Sequence, residues 1–140
     1  MTYCFLRHAE QNNEGGSLTP LGRLQAQNLQ LPDFDIIFSS PAKRSYETAH
    51  LIAPLQEIQV LEDLYIPTAA ISPELLQLIL QEIALKKASS VLIVSHAGVS
   101  NYLAAACFPL FAEKILNYNL GHAEGFLIQE ESLSFVSPLL

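Results

Sequence analysis

The chain has 140 residues, half of them hydrophobic and 15% charged, which suits one compact folded domain over residues 1–140 and excludes a disordered segment. Acidic residues outnumber basic ones 14 to 7, for a formal net charge of -7, so neither nucleic acid nor an anionic membrane is an expected partner. No apolar run approaches the roughly 18 residues that span a bilayer. The six residues before Arg7 are too few for a signal peptide, and the expected location is the cytoplasm.

In chain order, residues 3–6 form an apolar run and read as a strand. A polar loop with Gly15-Gly16 follows. Thr19-Pro20 is an N-cap and first-turn proline, with Leu21, Leu24 and Leu29 on the apolar face of a helix that Pro32 ends. Residues 35–38 read as a second strand. Ser39-Ser40-Pro41 repeats the cap-and-proline signal and predicts a helix from there to about Ala53. Residues 56–61 suggest a short strand. Ser72-Pro73-Glu74 opens a helix with Leu75, Leu76, Ile79, Leu80 and Ile83 on its apolar face. Residues 91–94 are a buried strand, three of the four β-branched, and run into Ser95-His96-Ala97-Gly98 and a helix to about Ala106. Two last strands are expected at 126–128 and 133–136.

This alternation predicts an α/β fold, a three-layer α/β/α sandwich with a mostly parallel central sheet. In such sheets ligands bind beyond the carboxyl ends of the strands. That rule selects Arg7 and His8 after the first strand, Ser39, Ser40 and then Arg44 after the second, and His96 after the strand at 91–94. A neutral imidazole is a nucleophile. Guanidinium groups match phosphate oxygens and keep their charge. A second imidazole donates another hydrogen bond, and helix N-termini add N–H groups and a favourable dipole. The set suits phosphoryl transfer without a metal. Histidine spacing does not match HxxxH, and the cysteines Cys4 and Cys107 have no paired spacing and read as buried thiols.

Three segments carry a resemblance. Leu6-Arg7-His8-Ala9-Glu10 resembles the Arg-His-Gly signature of the histidine phosphatase superfamily, also called phosphoglycerate mutase-like. Ser39-Ser40-Pro41-Ala42-Lys43-Arg44 with Glu47-Thr48-Ala49 resembles its second motif, and Val94-Ser95-His96-Ala97-Gly98 its second-histidine motif. Leu18-Thr19-Pro20-Leu21-Gly22 is similar to the usual helix start. Length and the stretch from Leu64-Tyr65 to Leu76 look most like the small phosphohistidine-phosphatase branch.

The resemblance implies that His8 becomes phosphorylated and that Arg7, Arg44 and His96 bind the phosphoryl group. It implies a metal-independent phosphatase, without cofactor, acting on a phosphorylated small molecule or a phosphohistidine protein. Two departures stand out. Ala9 replaces the glycine after the nucleophile. The glutamate that serves mutase-like members as general acid falls near Ile66, which leaves Glu62 and Asp63 as candidate proton donors and makes efficient cleavage of alkyl phosphates unexpected; mutase activity is unexpected because the chain has little room for a substrate-enclosing insertion. His122, between two glycines before the strand at 126–128, reads as a loop residue or a rim contact to substrate. Arg23, Lys43 and His50 read as surface or packing residues. The alternative to an enzyme is a phosphate-binding or regulatory module with the same fold and little turnover. Substrate and oligomeric state are left open.

Overall fold

The computed structural model describes residues 1–65 and 72–140. Its sheet has six strands: β1 (Thr2–Arg7), β2 (Ile36–Ser39), β3 (Ile58–Val60), β4 (Ser90–Ser95), β5 (Gly125–Gln129) and β6 (Ser132–Val136), in the order β3-β2-β4-β1-β5-β6. The first four in that order run parallel; β5 is antiparallel to β1, and β6 to β5. The helices are α1 (Pro20–Gln27), α2 (Lys43–Ile52), α3 (Pro73–Leu85), α4 (Val99–Cys107) and α5 (Ala112–Leu116).

Side chains alternate across a strand, so each central strand feeds both faces. Phe5, Phe38, Val91 and Ile93 pack on one face with Leu75, Ile79, Val99, Leu103 and Ile115 of α3, α4 and α5. Cys4, Leu6, Ile37, Leu92 and Val94 pack on the other with Ala49 of α2. Beyond them, Ala26 of α1 packs with Ala9 and Leu18. The expected three-layer α/β/α architecture is what forms, with the two C-terminal strands supplying its antiparallel edge.

Some expectations about local elements need correction. Leu21 and Leu24 are 44% and 51% exposed, and α1 stops at Gln27, before Leu29. The buried face of α1 is instead Gly22 and Ala26, because this helix lies close against the chain after His8. A leucine face would hold it further away. In α3, Leu80 is 48% exposed rather than buried. The second helix starts at Lys43, with Ala42 as its cap residue, and not at Ser39-Ser40. Ser39 belongs to β2, and the Ser40 hydroxyl serves a different partner, described below. A 3-10 turn (Glu62–Leu64), a second 3-10 turn (Pro109–Phe111) and α5 were not expected; none has a strong periodic pattern of its own.

Candidate active site

The parallel strands β1, β2 and β4 end along one edge of the sheet, and the loop before antiparallel β5 returns to that edge. The backbone there is tied together. His8 N–H donates to the Ser95 carbonyl (3.0 Å), Ala123 N–H to the His8 carbonyl (3.0 Å), and Ser40 N–H to the Val94 carbonyl (3.0 Å). Arg7, His8, Arg44, His96 and His122 meet at this edge.

His8 is 4% exposed. Its Nδ1 lies 2.8 Å from the Ala9 carbonyl. A carbonyl only accepts, so Nδ1 carries the hydrogen and Nε2 keeps its lone pair. Arg44 Nε donates to that Nε2 at 3.3 Å. The His96 ring stands 5.3 Å from the His8 ring, centroid to centroid, and the His122 ring 5.8 Å.

Burial chiefly, and then the neighbouring cationic groups, push the His8 imidazole down to about 3, although the Ala9 carbonyl works the other way. Burial and the charges of Arg44 and Arg7 push His96 down to about 4. His122 is also lowered, by burial and Arg7, with Glu10 opposing. All three rings are therefore neutral near pH 7.

Arg7 is placed by its surroundings. Its Nη1 donates to the Leu120 carbonyl at 2.8 Å and its Nη2 to His122 Nε2 at 3.4 Å. Its Nε is buried without a hydrogen-bond partner among the described residues. Arg44 Nη2 reaches the Tyr65 hydroxyl at 3.5 Å, and its Cζ sits 5.5 Å from the centre of the Tyr65 ring. His96 Nε2 and Ser40 Oγ are 2.9 Å apart. The pattern Ser40-Pro41 looked like a helix cap because serine hydroxyls commonly cap, but here the hydroxyl meets the second histidine.

Three residues at the site went unassigned by sequence reasoning. Thr48 Oγ1 accepts from the Ala9 N–H (3.0 Å) while donating to the Arg44 carbonyl (2.7 Å), linking the first motif to the second. Its place one turn after Arg44 was the available signal. Tyr65 stands edge-on to His96, ring centroids 4.9 Å apart, and no motif marks it. Glu124 accepts from Gly121 N–H at 2.6 Å and shapes the loop that carries His122.

Glu62 and Asp63 lie on the exposed 3-10 turn after β3. Asp63 borders a groove against α3 with Pro73, Glu74 and Gln77, and neither carboxylate hydrogen-bonds to the histidine cluster. Ile66 falls outside the described residues. Arg23 pairs with Glu47 at 3.3 Å; Lys43 and His50 are exposed. Among the described residues no group of three or more His, Cys, Asp or Glu is placed to hold a metal ion. A neutral imidazole whose Nε2 lone pair faces Arg44, two guanidinium groups and a second imidazole form a cup suited to a tetrahedral dianion.

A family model for the histidine phosphatase superfamily (branch 1) matches residues 3–65. No curated protein sequence matches the chain. Among solved structures, a phosphoserine phosphatase from Entamoeba histolytica in complex with 3-phosphoglyceric acid is similar at 18% identity, with 99% of this chain and 97% of that one covered and a TM-score of 0.70. The protein histidine phosphatase SixA complexed with tungstate gives 17% identity, 99% and 97% coverage and a TM-score of 0.69. The α-ribazole phosphatase from Shigella flexneri gives 19%, 100% and 95%, and 0.65. The matched segment holds the first two motifs, the third motif follows at His96 beyond it, and the fold of these solved structures is shared along the whole chain.

Proposed function

We propose that the protein is a phosphatase that hydrolyses a phosphomonoester or a phosphohistidine through a covalent phosphohistidine on His8. The observation that carries this reading is the hydrogen bond from His8 Nδ1 to the Ala9 carbonyl, which leaves the lone pair on Nε2, facing the cup and Arg44. In the first step that lone pair forms a bond to phosphorus. The bond from phosphorus to the leaving atom breaks, and its electron pair goes with the leaving group. The phosphorylated ring keeps its Nδ1 hydrogen and so carries positive charge, which the Ala9 carbonyl stabilises. Arg7, Arg44 and His96 hold the phosphoryl oxygens as their charge redistributes. In the second step water attacks phosphorus, the P–N bond breaks, and the electron pair returns to Nε2. The water's proton leaves with phosphate or solvent. No metal takes part in either step.

The leaving group narrows the substrate. An alkoxide needs a proton as it departs. Glu62 and Asp63 make no hydrogen bond into the cluster, which favours substrates whose leaving group departs with less help, such as the imidazole of a phosphohistidine. SixA, whose fold this chain shares, is named a protein histidine phosphatase. The substrate is thus a phosphohistidine protein or a phosphorylated small molecule, met in the cytoplasm. No helix among the described residues is long and apolar enough to cross a membrane.

Purified protein is expected to release phosphate from an aryl phosphate and from phosphoramidate with a chelator present, and to acquire an acid-labile, base-stable phosphoryl label. His8→Asn should lose both label and turnover. Turnover that survives this substitution ends the His8 mechanism. The uninvolved carboxylates also favour a second reading, a phosphate-binding module with little turnover. Binding of inorganic phosphate with no hydrolysis of any phosphoester or phosphoramidate would select it.

A further inference from the structure

The segment that receives Arg7 is itself held by a residue outside the cluster. Asn101 lies in the first turn of α4 and is 7% exposed. Its Nδ2 donates to two carbonyls, those of Ile115 and Tyr118, at 2.8 Å each. Two residues beyond Tyr118, the Leu120 carbonyl accepts from Arg7 Nη1, and His122 accepts from Nη2.

The Tyr118 ring packs on Phe126 and Phe135, but the side of the segment that faces α4 is less filled. A cleft of about 190 Å³ lies between the start of α4 and the segment, bordered by Gly98, Tyr102, Leu116 and Asn119. Ile115 and Leu120 are buried at the two ends, but Leu116, Asn117 and Asn119 between them are exposed. The tie across the cleft is the pair of hydrogen bonds from Asn101. An amide with both hydrogens engaged on two carbonyls three residues apart fixes the turn between them against α4 more firmly than either bond alone.

We propose that Asn101 is a positioning residue for Arg7: by clamping residues 115–118 to α4 it fixes the Leu120 carbonyl, and through it the guanidinium. This rests on the reading of Arg7 as a phosphoryl-binding group. Binding then does not have to order a long side chain, a saving that appears as phosphate affinity.

The experiment is a double-mutant cycle on the full chain, with inorganic phosphate as the probe and calorimetry as the readout. Wild type, Asn101→Ala, Arg7→Ala and the double variant are compared. Asn101→Ala is expected to weaken phosphate binding roughly three- to tenfold when Arg7 is present, and to change it little when residue 7 is alanine, because coupled residues are not additive. Asn101→Ser keeps a donor and leaves a smaller void, so it should fall between wild type and alanine; it also carries the test if the alanine variant folds poorly. The same loss in both backgrounds, or no loss in either, overturns the proposal. Phosphate binding by Arg7→Ala as tight as wild type instead removes Arg7 from the phosphoryl site, an outcome separate from the first.

Discussion

Arg44 and His8 are in contact before any substrate arrives: Arg44 Nε points at His8 Nε2 across 3.3 Å. The bond holds Nε2, the proposed nucleophile, in the cup, yet it also occupies the lone pair that would attack. A phosphate dianion is a stronger acceptor for guanidinium than a neutral imidazole. Binding should therefore draw Arg44 onto the phosphoryl oxygens and release Nε2 in the same movement. The Tyr65 ring lies beside the guanidinium, 5.5 Å from its Cζ.

Arg44→Ala and Arg7→Ala should each lower kcat/KM for an aryl phosphate at least tenfold, about 1.4 kcal/mol or more of transition-state stabilisation. Arg44→Lys keeps the charge without the planar fork and should recover only part of the loss. Steady-state kinetics decides this, and near-normal turnover in either alanine variant contradicts that arginine's placement.

The buried histidines make stability depend on acid. In the folded protein His8 stays neutral down to about 3 and His96 down to about 4, while in the unfolded chain each titrates near its ordinary 6.5. Between those values the unfolded chain binds more protons, so stability is full above 6.5 and falls as the pH drops toward 4. The melting temperature, followed in phosphate-free buffer, should decline over this window. His8→Asn should flatten the decline. An unchanged slope in that variant would mean that His8 protonates freely in the folded protein.

Much of this site was legible because its parts are short runs of chain tied to strand ends. An apolar run such as 91–94 must be buried, a parallel sheet aligns the ends of its strands, and so His8, Ser40 and His96 share an edge without any knowledge of distances. Tyr65 and Asn101 were not legible in the same way. Their importance comes from what lies across space: Arg44 for one, the carbonyls of Ile115 and Tyr118 for the other. The misread face of α1 has a similar cause. Periodicity ranks leucines as the buried positions, but close approach of two backbones selects the small residues Gly22 and Ala26. Ser40 misled for the opposite reason, since a serine before a proline announces a helix cap whether or not its hydroxyl is needed elsewhere.

Thr48 offers a test of the link between the first two motifs. Its hydroxyl accepts from the buried Ala9 N–H, next to His8, and donates to the Arg44 carbonyl. Thr48→Val has nearly the same shape but leaves the Ala9 N–H unpaired, at a cost of roughly 1–3 kcal/mol. Thr48→Ser keeps the hydroxyl. Chemical denaturation should show the valine variant markedly less stable than the serine variant, and the valine variant should also have the lower kcat. If the two variants match in both respects, the hydroxyl does not anchor the segment.

Gly22 gives the last prediction its sign. In an exposed helix interior, glycine to alanine stabilises by roughly 1 kcal/mol, because alanine loses less backbone freedom on folding. At Gly22 the reverse is expected. A Cβ there would collide with the Glu10 carbonyl, and that carbonyl belongs to backbone rather than to a side chain that can swing away. The collision pushes α1 off the segment that runs directly from His8. Overpacking of this kind typically costs 1–3 kcal/mol, so Gly22→Ala should unfold at distinctly lower denaturant, by about that amount. The shift also reaches Ala9, whose N–H is held by Thr48 and whose carbonyl orients the His8 ring, so kcat should fall together with stability. The same substitution at exposed Gly15, where a Cβ meets nothing, should leave turnover unchanged. A stabilised, fully active Gly22→Ala protein would show that α1 does not press on the chain after His8.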